Sequence, residues 1–184
     1  FVEEAINATR YLAEDEFRTL PQPDLYYRGN GKNLQVLDPA FNTIDPEQKI
    51  ALAFAAEKEI LGKDERIISI TSSYYDGLSE RVMVTSNGFE GDTASSYCGI
   101  SASVSVKSGD ARPSAGWNES SIFFDNLPAK GIGTIALDKA LKKIGQKKMA
   151  SGKMAMIVEN RQMGRIFSPL ISALSGSAIQ QKSS

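Results

Sequence analysis

Histidine, which most often ligates zinc in proteins and titrates near neutral pH, is absent from all 184 residues of this chain. A histidine-ligated metal site and histidine-based catalysis are therefore excluded. The single cysteine, Cys98, lies in a strand-like run without a histidine to activate it, which favours a buried small side chain over a nucleophile. Glu57, Glu59 and Asp64 fall on the predicted solvated side of a helix, and no carboxylate pair has acid–base spacing. A metal site built from carboxylates alone stays open, although no spacing marks one.

Two features have the composition of phosphate-binding sites. Gly131-Ile132-Gly133 precedes a predicted helix, but the full dinucleotide and P-loop patterns are missing, so we do not assign a phosphate site. Lysines gather near the end of the same helix, and we interpret them as a solvated face that complements the helix dipole. These lysines are Lys139, Lys142, Lys143, Lys147 and Lys148.

Composition limits the class of protein. With 41% hydrophobic and 23% charged residues, the chain has the balance of a globular domain and not of a disordered one. A net charge of −1 gives no overall attraction to nucleic acid, so direct nucleic-acid binding is not expected. One cysteine excludes an internal disulfide and fits the cytoplasm. No apolar run approaches the roughly 20 residues that span a bilayer. The chain begins and stops abruptly, so we expect a fragment.

Helical patterns flank a central β region. The first helix is predicted over residues 2–14. Asp45-Pro46-Glu47 predicts the start of a second helix, with Asp45 as the capping residue and Gly62 as the stop. We assign its apolar face to the core. That face consists of Ile50, Ala53, Phe54 and Leu61.

Two more helices follow the β region. The third covers residues 132–144, ends at Gly145 and places Leu141 in the core. The last helix has apolar residues at i, i+3 and i+4 spacing, which we interpret as core packing. They are Ile166, Phe167, Leu170, Ile171, Leu174 and Ala178.

Strand patterns occupy residues 67–71, 81–86, 97–106 and 121–124. Short turns between them favour an antiparallel meander, and Asn87-Gly88 is predicted to form a tight turn with positive φ. A further buried strand is predicted over residues 153–158. On the third strand, one face carries the apolar residues Ile100, Ala102, Val104 and Val106.

The predicted fold is therefore α+β: an antiparallel sheet of about four strands packed by helices, followed by the first strand and helix of a second domain. We place the boundary in the lysine-rich stretch 146–152. Residues 1–150 are then an N-terminal domain whose start is missing. Residues 151–184 begin a truncated C-terminal domain.

Two segments carry a family resemblance. Ser86-Asn87-Gly88-Phe89-Glu90-Gly91 is one, and residues 159–164 followed by 174–184 are the other. With them the chain resembles the TldD/PmbA family, once labelled modulators of DNA gyrase and now associated with zinc metallopeptidase activity. The resemblance covers essentially the whole chain, and residues 174–184 are its most specific part.

The resemblance implies two kinds of subunit that pair. A TldD-like subunit carries an HExxxH motif whose histidines hold zinc and whose glutamate is the base, and a PmbA-like (TldE) subunit lacks it. This chain resembles the PmbA type. On an alignment through Gly164, the motif positions fall on Ser168, Pro169 and Ala173, and none of these side chains can ligate zinc or act as the base. Ser168-Pro169 also favours a helix start over a helix interior.

We therefore expect a PmbA/TldE-like partner subunit of a cytoplasmic zinc metallopeptidase complex that acts in peptide or protein proteolysis or maturation. No catalytic, cofactor-binding or metal-ligating residue is assigned to this chain. Zinc is expected in the TldD-like partner, and a homo-oligomer is the other expected assembly. The alternative is a regulatory binding protein that modulates DNA gyrase without a protease role. Whether the protein is itself an enzyme stays open, because a peptidase could use residues beyond Ser184.

Overall fold

The computed structural model describes residues 1–13, 15, 17–29 and 32–183. The chain divides into two compact units, Phe1–Gln146 and Lys147–Ser184. The first unit combines helices with a three-stranded antiparallel sheet, which confirms the α+β class. The assignment of residues 1–150 and 151–184 to two successive domains of a longer protein stays a prediction.

The sheet contains β1 (Ile67–Val84), β2 (Glu90–Val106) and β3 (Ser114–Ser121) in the order β1-β2-β3. The antiparallel meander is confirmed, but the described residues form three strands where we expected about four. The predicted strands 67–71 and 81–86 are one strand, because the register with β2 continues through the residues between them. The strand predicted over 121–124 is wrong: β3 ends at Ser121, and a 3-10 turn follows at Phe124–Asn126. The sequence analysis missed β3 because most of its residues are small or polar.

The tight turn between β1 and β2 is confirmed. The N–H of Thr85 donates to the carbonyl of Phe89 at 2.9 Å, and the N–H of Gly88 donates to the carbonyl of Thr85 at 3.0 Å. Gly88 has a φ of 93°, whereas Asn87 is not among the described residues with positive φ. A three-residue loop needs only one left-handed residue, and glycine adopts that conformation without steric cost.

The core lies between one face of the sheet and two helices. The predicted inward face of β2 is confirmed, because Ile100, Ala102, Val104 and Val106 are buried. The helices are α2 (Pro46–Lys58) and α3 (Ile132–Leu141). Small side chains, Ala56 from α2 and Ala136 and Ala140 from α3, join the core, and Leu141 packs against it.

Helix α2 starts where predicted, but the face that it turns toward the core is not the predicted one. The Asp45 carboxylate accepts a hydrogen bond from the N–H of Glu47 at 2.9 Å, which confirms the cap. Most of the predicted apolar face is wrong: Ile50, Phe54 and Leu61 are 54%, 65% and 64% exposed, and of the four residues only Ala53 packs against the core. The buried residues of this segment are Ala56 and Ile60. Helix α3 approaches so closely that a Cβ on Gly133 would lie 2.1 Å from the Ala56 carbonyl oxygen. Only a small side chain fits at such a close contact between helices. The face of α2 that bears Ala56 therefore points toward the core, and Phe54 points toward solvent.

Helix α1 (Val2–Thr9) has no buried residue, and Glu14, the predicted end of this helix, lies outside the described residues. The second unit contains α4 (Asn160–Ala173) and α5 (Gly176–Gln180). No strand forms over residues 153–158, contrary to prediction. A strand requires a hydrogen-bonded neighbour, and the described part of this unit offers none.

Helix α4 corrects two further predictions. It begins at Asn160 and has Pro169 in its interior, so Ser168-Pro169 is not a helix start. A proline removes one backbone hydrogen bond, and the helical bonds on either side of it are enough to continue the helix. The apolar stripe from Ile166 to Leu174 is exposed, so the core packing expected for it is absent from the described residues. Among all the residues that the structure describes, no helix combines the length and apolar character that crossing a bilayer requires.

Candidate functional site

A groove runs between α2 and the outer edge of β1 in the first unit. Its volume is about 380 Å³, within the range of small-ligand pockets. We call it the α2–β1 groove. It is lined by Lys49, Ile50, Ala53, Phe54 and Glu57 from α2 and by Ser72, Ser73 and Tyr74 from β1.

A polar cluster closes one end of the groove. The Lys49 ammonium forms a half-buried ion pair with Asp76, and the Tyr74 hydroxyl donates to the same carboxylate oxygen at 3.1 Å. The ammonium also lies 5.3 Å from the ring centre of Phe41, within the range of a cation–π contact. Burial, and then the hydrogen bond and charge of Asp76, raise the pKa of Tyr74 well above its usual value. Tyr74 is therefore a neutral donor at physiological pH and cannot act as a base.

The rest of the groove is suited to contact and not to chemistry. Ile50 and Phe54 present apolar side chains to solvent at its wall. Beneath them, the Ser72 hydroxyl is buried and has no hydrogen-bond partner among the described residues. A buried hydroxyl without a partner is unfavourable, so an occupant that supplied one would be stabilised. We take this groove as the candidate binding site of the domain.

Cys98 lies in the core behind the polar cluster, as predicted. It is 2% exposed, and its Sγ donates to the Ser121 carbonyl at 3.4 Å. Burial, followed by the negative charges of Asp38 and Asp76, raises the pKa of the Cys98 thiol. Because the thiolate is the reactive form, this cysteine is a structural residue.

Asp38 is a buried carboxylate that the sequence analysis missed. One oxygen accepts from the Ala40 N–H at 2.9 Å and the other from the Phe124 N–H at 2.8 Å. Its own N–H donates to the Ser96 hydroxyl at 2.8 Å, so it joins a loop, β2 and the turn after β3. The signal was present, because Asp38-Pro39 repeats the aspartate–proline pattern of the α2 cap. Both oxygens are satisfied within the fold, and the role is structural.

Glu59 is not simply solvated, contrary to prediction. Its carboxylate accepts from the Gly131 N–H at 2.7 Å and from the Thr134 N–H at 3.0 Å. Partial burial raises its pKa, but the hydrogen bonds from Gly131, Thr134 and Gly133 outweigh burial and hold the pKa below its usual value. The position where a phosphate would bind at the N-terminus of α3 is thus filled by a carboxylate of the same chain.

Both glycines of Gly131-Ile132-Gly133 are required by the fold. Gly131 has a φ of 98°, and Gly133 permits the close contact with α2. The neighbouring lysines also contact other residues. Lys142 pairs with Asp138 at 2.6 Å and Lys143 donates to the Ser114 carbonyl at 2.6 Å, which supports a lysine-rich face over a phosphate patch.

The positions that the alignment through Gly164 predicts for the family zinc motif lie in the second unit, on α4. Ser168 and Pro169 are exposed and Ala173 is half-buried, and their side chains offer one neutral hydroxyl and no strong metal ligand. Helix α4 therefore does not fit a zinc ion at these positions. In the described part of the chain, no three Cys, Asp or Glu side chains are grouped as a metal site would need.

This chain is similar to known proteins both in sequence and in structure. The family description "PmbA/TldA metallopeptidase central domain" matches residues 39–144, more than half of the chain. The chain is similar to Metalloprotease PmbA of Escherichia coli O157:H7, with 22% identity over 99% of this chain and 40% of the relative.

Two solved structures are also similar. One, from Bacteroides thetaiotaomicron, is named as a candidate modulator of DNA gyrase; it is 49% identical, with a TM-score of 0.91 over 99% of this chain and 42% of that chain. Another of the same description, from Thermotoga maritima, is 20% identical with a TM-score of 0.63 over 82% of this chain and 33% of that one, and shows the fold alone.

The chain spans about 40% of the length of the relatives that match it over nearly its whole extent. The matched residues 39–144 include the capped helix α2, the β1–β2 hairpin and helix α3, which confirms the family resemblance. The tail lies outside this match, and the similarity to PmbA and to the Bacteroides thetaiotaomicron structure extends over 99% of the chain. The chain belongs to the PmbA/TldD family of metallopeptidase-related proteins.

Proposed function

We propose that this chain is part of a PmbA/TldE-like subunit that pairs with a TldD-like zinc metallopeptidase in the cytoplasm and acts in peptide or protein proteolysis or maturation. The observation that carries the proposal is the family match combined with the residues at the motif positions. On the alignment through Gly164 that the resemblance implies, Ser168, Pro169 and Ala173 stand at the positions of the two histidines and the glutamate of the active subunit type. This chain would supply shape and subunit contacts, while the zinc, the base and the peptide-cleaving step belong to the partner.

Co-expression tests the proposal. The full-length protein is produced with and without the TldD-like subunit of the same organism, and co-purification, zinc content and cleavage of an unstructured peptide are measured. We expect a stable complex, zinc in the TldD-like subunit, and no cleavage by this protein alone. Peptide cleavage by this protein purified alone, dependent on its own bound zinc, would overturn the proposal.

A second function is favoured by the name of the Bacteroides thetaiotaomicron relative, which is described as a candidate modulator of DNA gyrase. In that case the protein would bind gyrase and change its supercoiling rate without cleaving peptides. Supercoiling by purified gyrase, with and without an equimolar amount of this protein, separates the two functions. A change in rate that persists without a TldD-like subunit supports modulation, and no change together with co-purification supports the peptidase complex.

A further inference from the structure

The tip of the β1–β2 hairpin holds a segment that precedes α2 in the chain. The Asn87 side-chain amide donates to the Pro21 carbonyl at 2.8 Å, and the Tyr26 hydroxyl donates to the Asn87 backbone carbonyl at 3.0 Å. The rings of Tyr26 and Phe89 meet edge to face, with their centres 5.3 Å apart. We call residues 21–28 the strap. Asn87 therefore contacts the strap through both its side chain and its backbone.

The same asparagine is followed by a glycine, which makes it chemically labile. The backbone nitrogen that follows an asparagine can attack the side-chain carbonyl carbon, and glycine hinders this attack least because it has no Cβ. Here the Gly88 nitrogen would bond to Cγ of Asn87, the Cγ–Nδ2 bond would break, and the nitrogen's proton would leave with the amide as ammonia. Water then opens the cyclic imide to aspartate or to isoaspartate. The reaction needs no cofactor, and its two reacting atoms belong to successive residues.

The folded hairpin holds both reacting groups in other hydrogen bonds. The side-chain oxygen of Asn87 accepts from the Thr85 hydroxyl at 2.7 Å, while its Nδ2 is bound to Pro21. The Gly88 N–H, which carries the attacking nitrogen, donates to the Thr85 carbonyl at 3.0 Å. The nitrogen must lose its proton and the side chain must rotate toward it, so these hydrogen bonds have to break first. Asn87 is therefore protected while the strap and the turn hold it.

We propose that Asn87 is a site of spontaneous deamidation whose rate the strap controls, and that the reaction in turn releases the strap. While Pro21 and Tyr26 are in place, the amide is held away from the Gly88 nitrogen and reacts slowly. When the strap detaches, the side chain is free to rotate and deamidation accelerates. The inference concerns the first unit alone and is independent of the proposed function.

Neither product of the reaction can hold the strap as asparagine does. An aspartate carboxylate has no N–H to donate, so two oxygens would face each other where Nδ2 now meets the Pro21 carbonyl. Isoaspartate also adds one methylene to the backbone of the turn between Thr85 and Phe89, which displaces the carbonyl that the Tyr26 hydroxyl contacts. Loss of ammonia to water does not reverse, so the released state persists.

The first test follows Asn87 in the full-length protein during incubation in mildly alkaline buffer, by mass spectrometry of its digest. A synthetic peptide of residues 84–91 is the unfolded reference, and we expect wild type to react more slowly than this peptide. Tyr26→Ala should react roughly two- to tenfold faster than wild type, the range that loss of one hydrogen bond gives. Tyr11→Ala is the matched control, because Tyr11 is 90% exposed and lies outside the strap. Circular dichroism checks that both variants fold.

A second pair of variants tests the release of the strap without waiting for the reaction. Asn87→Asp reproduces one product, and amide hydrogen exchange of residues 20–28 should be roughly two- to tenfold faster in it than in wild type. Asn33→Asp is the control with the same change of charge: the Asn33 side chain accepts from the Gln35 N–H at 2.9 Å, which a carboxylate also does.

Two results would overturn the inference. A deamidation rate at Asn87 that Tyr26→Ala leaves unchanged, whether fast or undetectable, removes the control by the strap. Hydrogen exchange of residues 20–28 that is the same in Asn87→Asp and in wild type removes the release.

Discussion

The carboxylate of Glu59 occupies the N-terminus of α3, where the free N–H groups of a helix attract a negative charge. Its two oxygens receive hydrogen bonds from Gly131 and Thr134, so a residue of the α2 end holds the start of α3. In sequence, Glu59 is one acid among several on a polar stretch. Its role depends on a partner 72 residues away, which no local pattern reveals.

We expect Glu59→Gln to lower the free energy of unfolding at pH 7 by about 1–2 kcal/mol, because an amide satisfies the N–H groups less well than a carboxylate. The pKa of Glu59 is lower in the folded protein than its ordinary value of 4.5, so its stabilisation is full above that pH. It is lost as the pH falls through the folded-state pKa. Urea unfolding at pH 7 and pH 3 should show the difference from wild type shrinking at the lower pH.

Glu65→Gln is the control for this measurement, since Glu65 is exposed and should change stability by no more than about 0.5 kcal/mol. A difference between Glu59→Gln and wild type that stays constant from pH 7 to pH 3 would contradict the capping role.

The sign of the stability change caused by Gly133→Ala tests the close contact between α2 and α3. Alanine favours a helix over glycine by up to about 1 kcal/mol, yet a Cβ at Gly133 would meet the Ala56 carbonyl oxygen at 2.1 Å. We therefore expect Gly133→Ala to destabilise the fold by roughly 1–3 kcal/mol, measured by thermal unfolding. Gly164→Ala in α4, where nothing lies within 4 Å, should instead increase helicity. A stabilised Gly133→Ala variant would show that the two helices are farther apart.

The orientation of α2 is a property of the element. Ile60 is fully buried, just past the end of the helix, whereas Phe54 lies on its outer face. At concentrations where the protein is monomeric, Ile60→Ala should cost roughly 2–5 kcal/mol, and Phe54→Ala about 0.5 kcal/mol or less. Chemical denaturation of the two variants measures both values. A larger loss of unfolding free energy for Phe54→Ala than for Ile60→Ala would show that α2 buries the face expected from its sequence.

Helix α4 contains Pro169 well inside its span. An interior proline costs a helix about 3 kcal/mol, so Pro169→Ala should raise the stability of α4 by up to that amount. Amide hydrogen exchange of residues 160–173 should show slower exchange in the variant. If exchange protection instead begins at Ser168 in the wild type and does not change in the variant, Pro169 is at a helix start.

At the scale of the whole molecule, the metal content of the assembled protein follows from its side chains. We expect the full-length protein, purified without an affinity tag, to carry no zinc bound through α4, because its serine, proline and alanine offer no strong ligand. Elemental analysis of this protein and of a TldD-like subunit prepared in the same way makes the comparison. One zinc per chain that is lost when α4 residues are changed would refute the assignment to the PmbA type.

Local chemistry predicts the parts of this fold whose physics is local. The Asp45 cap, the Gly88 turn and the alternating inward face of β2 depend on neighbours within a few residues, and each is confirmed. The absence of histidine, likewise, limits the available metal chemistry whatever the fold. The hairpin and tail segments that carry the family resemblance are contiguous, so they too can be recognised without a structure.

The remaining features depend on what packs opposite each residue. Phe54 is outside because α3 approaches Ala56, and Asp76 continues β1 because Cys98 pairs with it. Residues 153–158 have strand-like composition, but a strand also needs a neighbour to receive its hydrogen bonds. The apolar stripe of α4 shows the same limit, because periodicity predicts which side of a helix is apolar and does not predict what covers it.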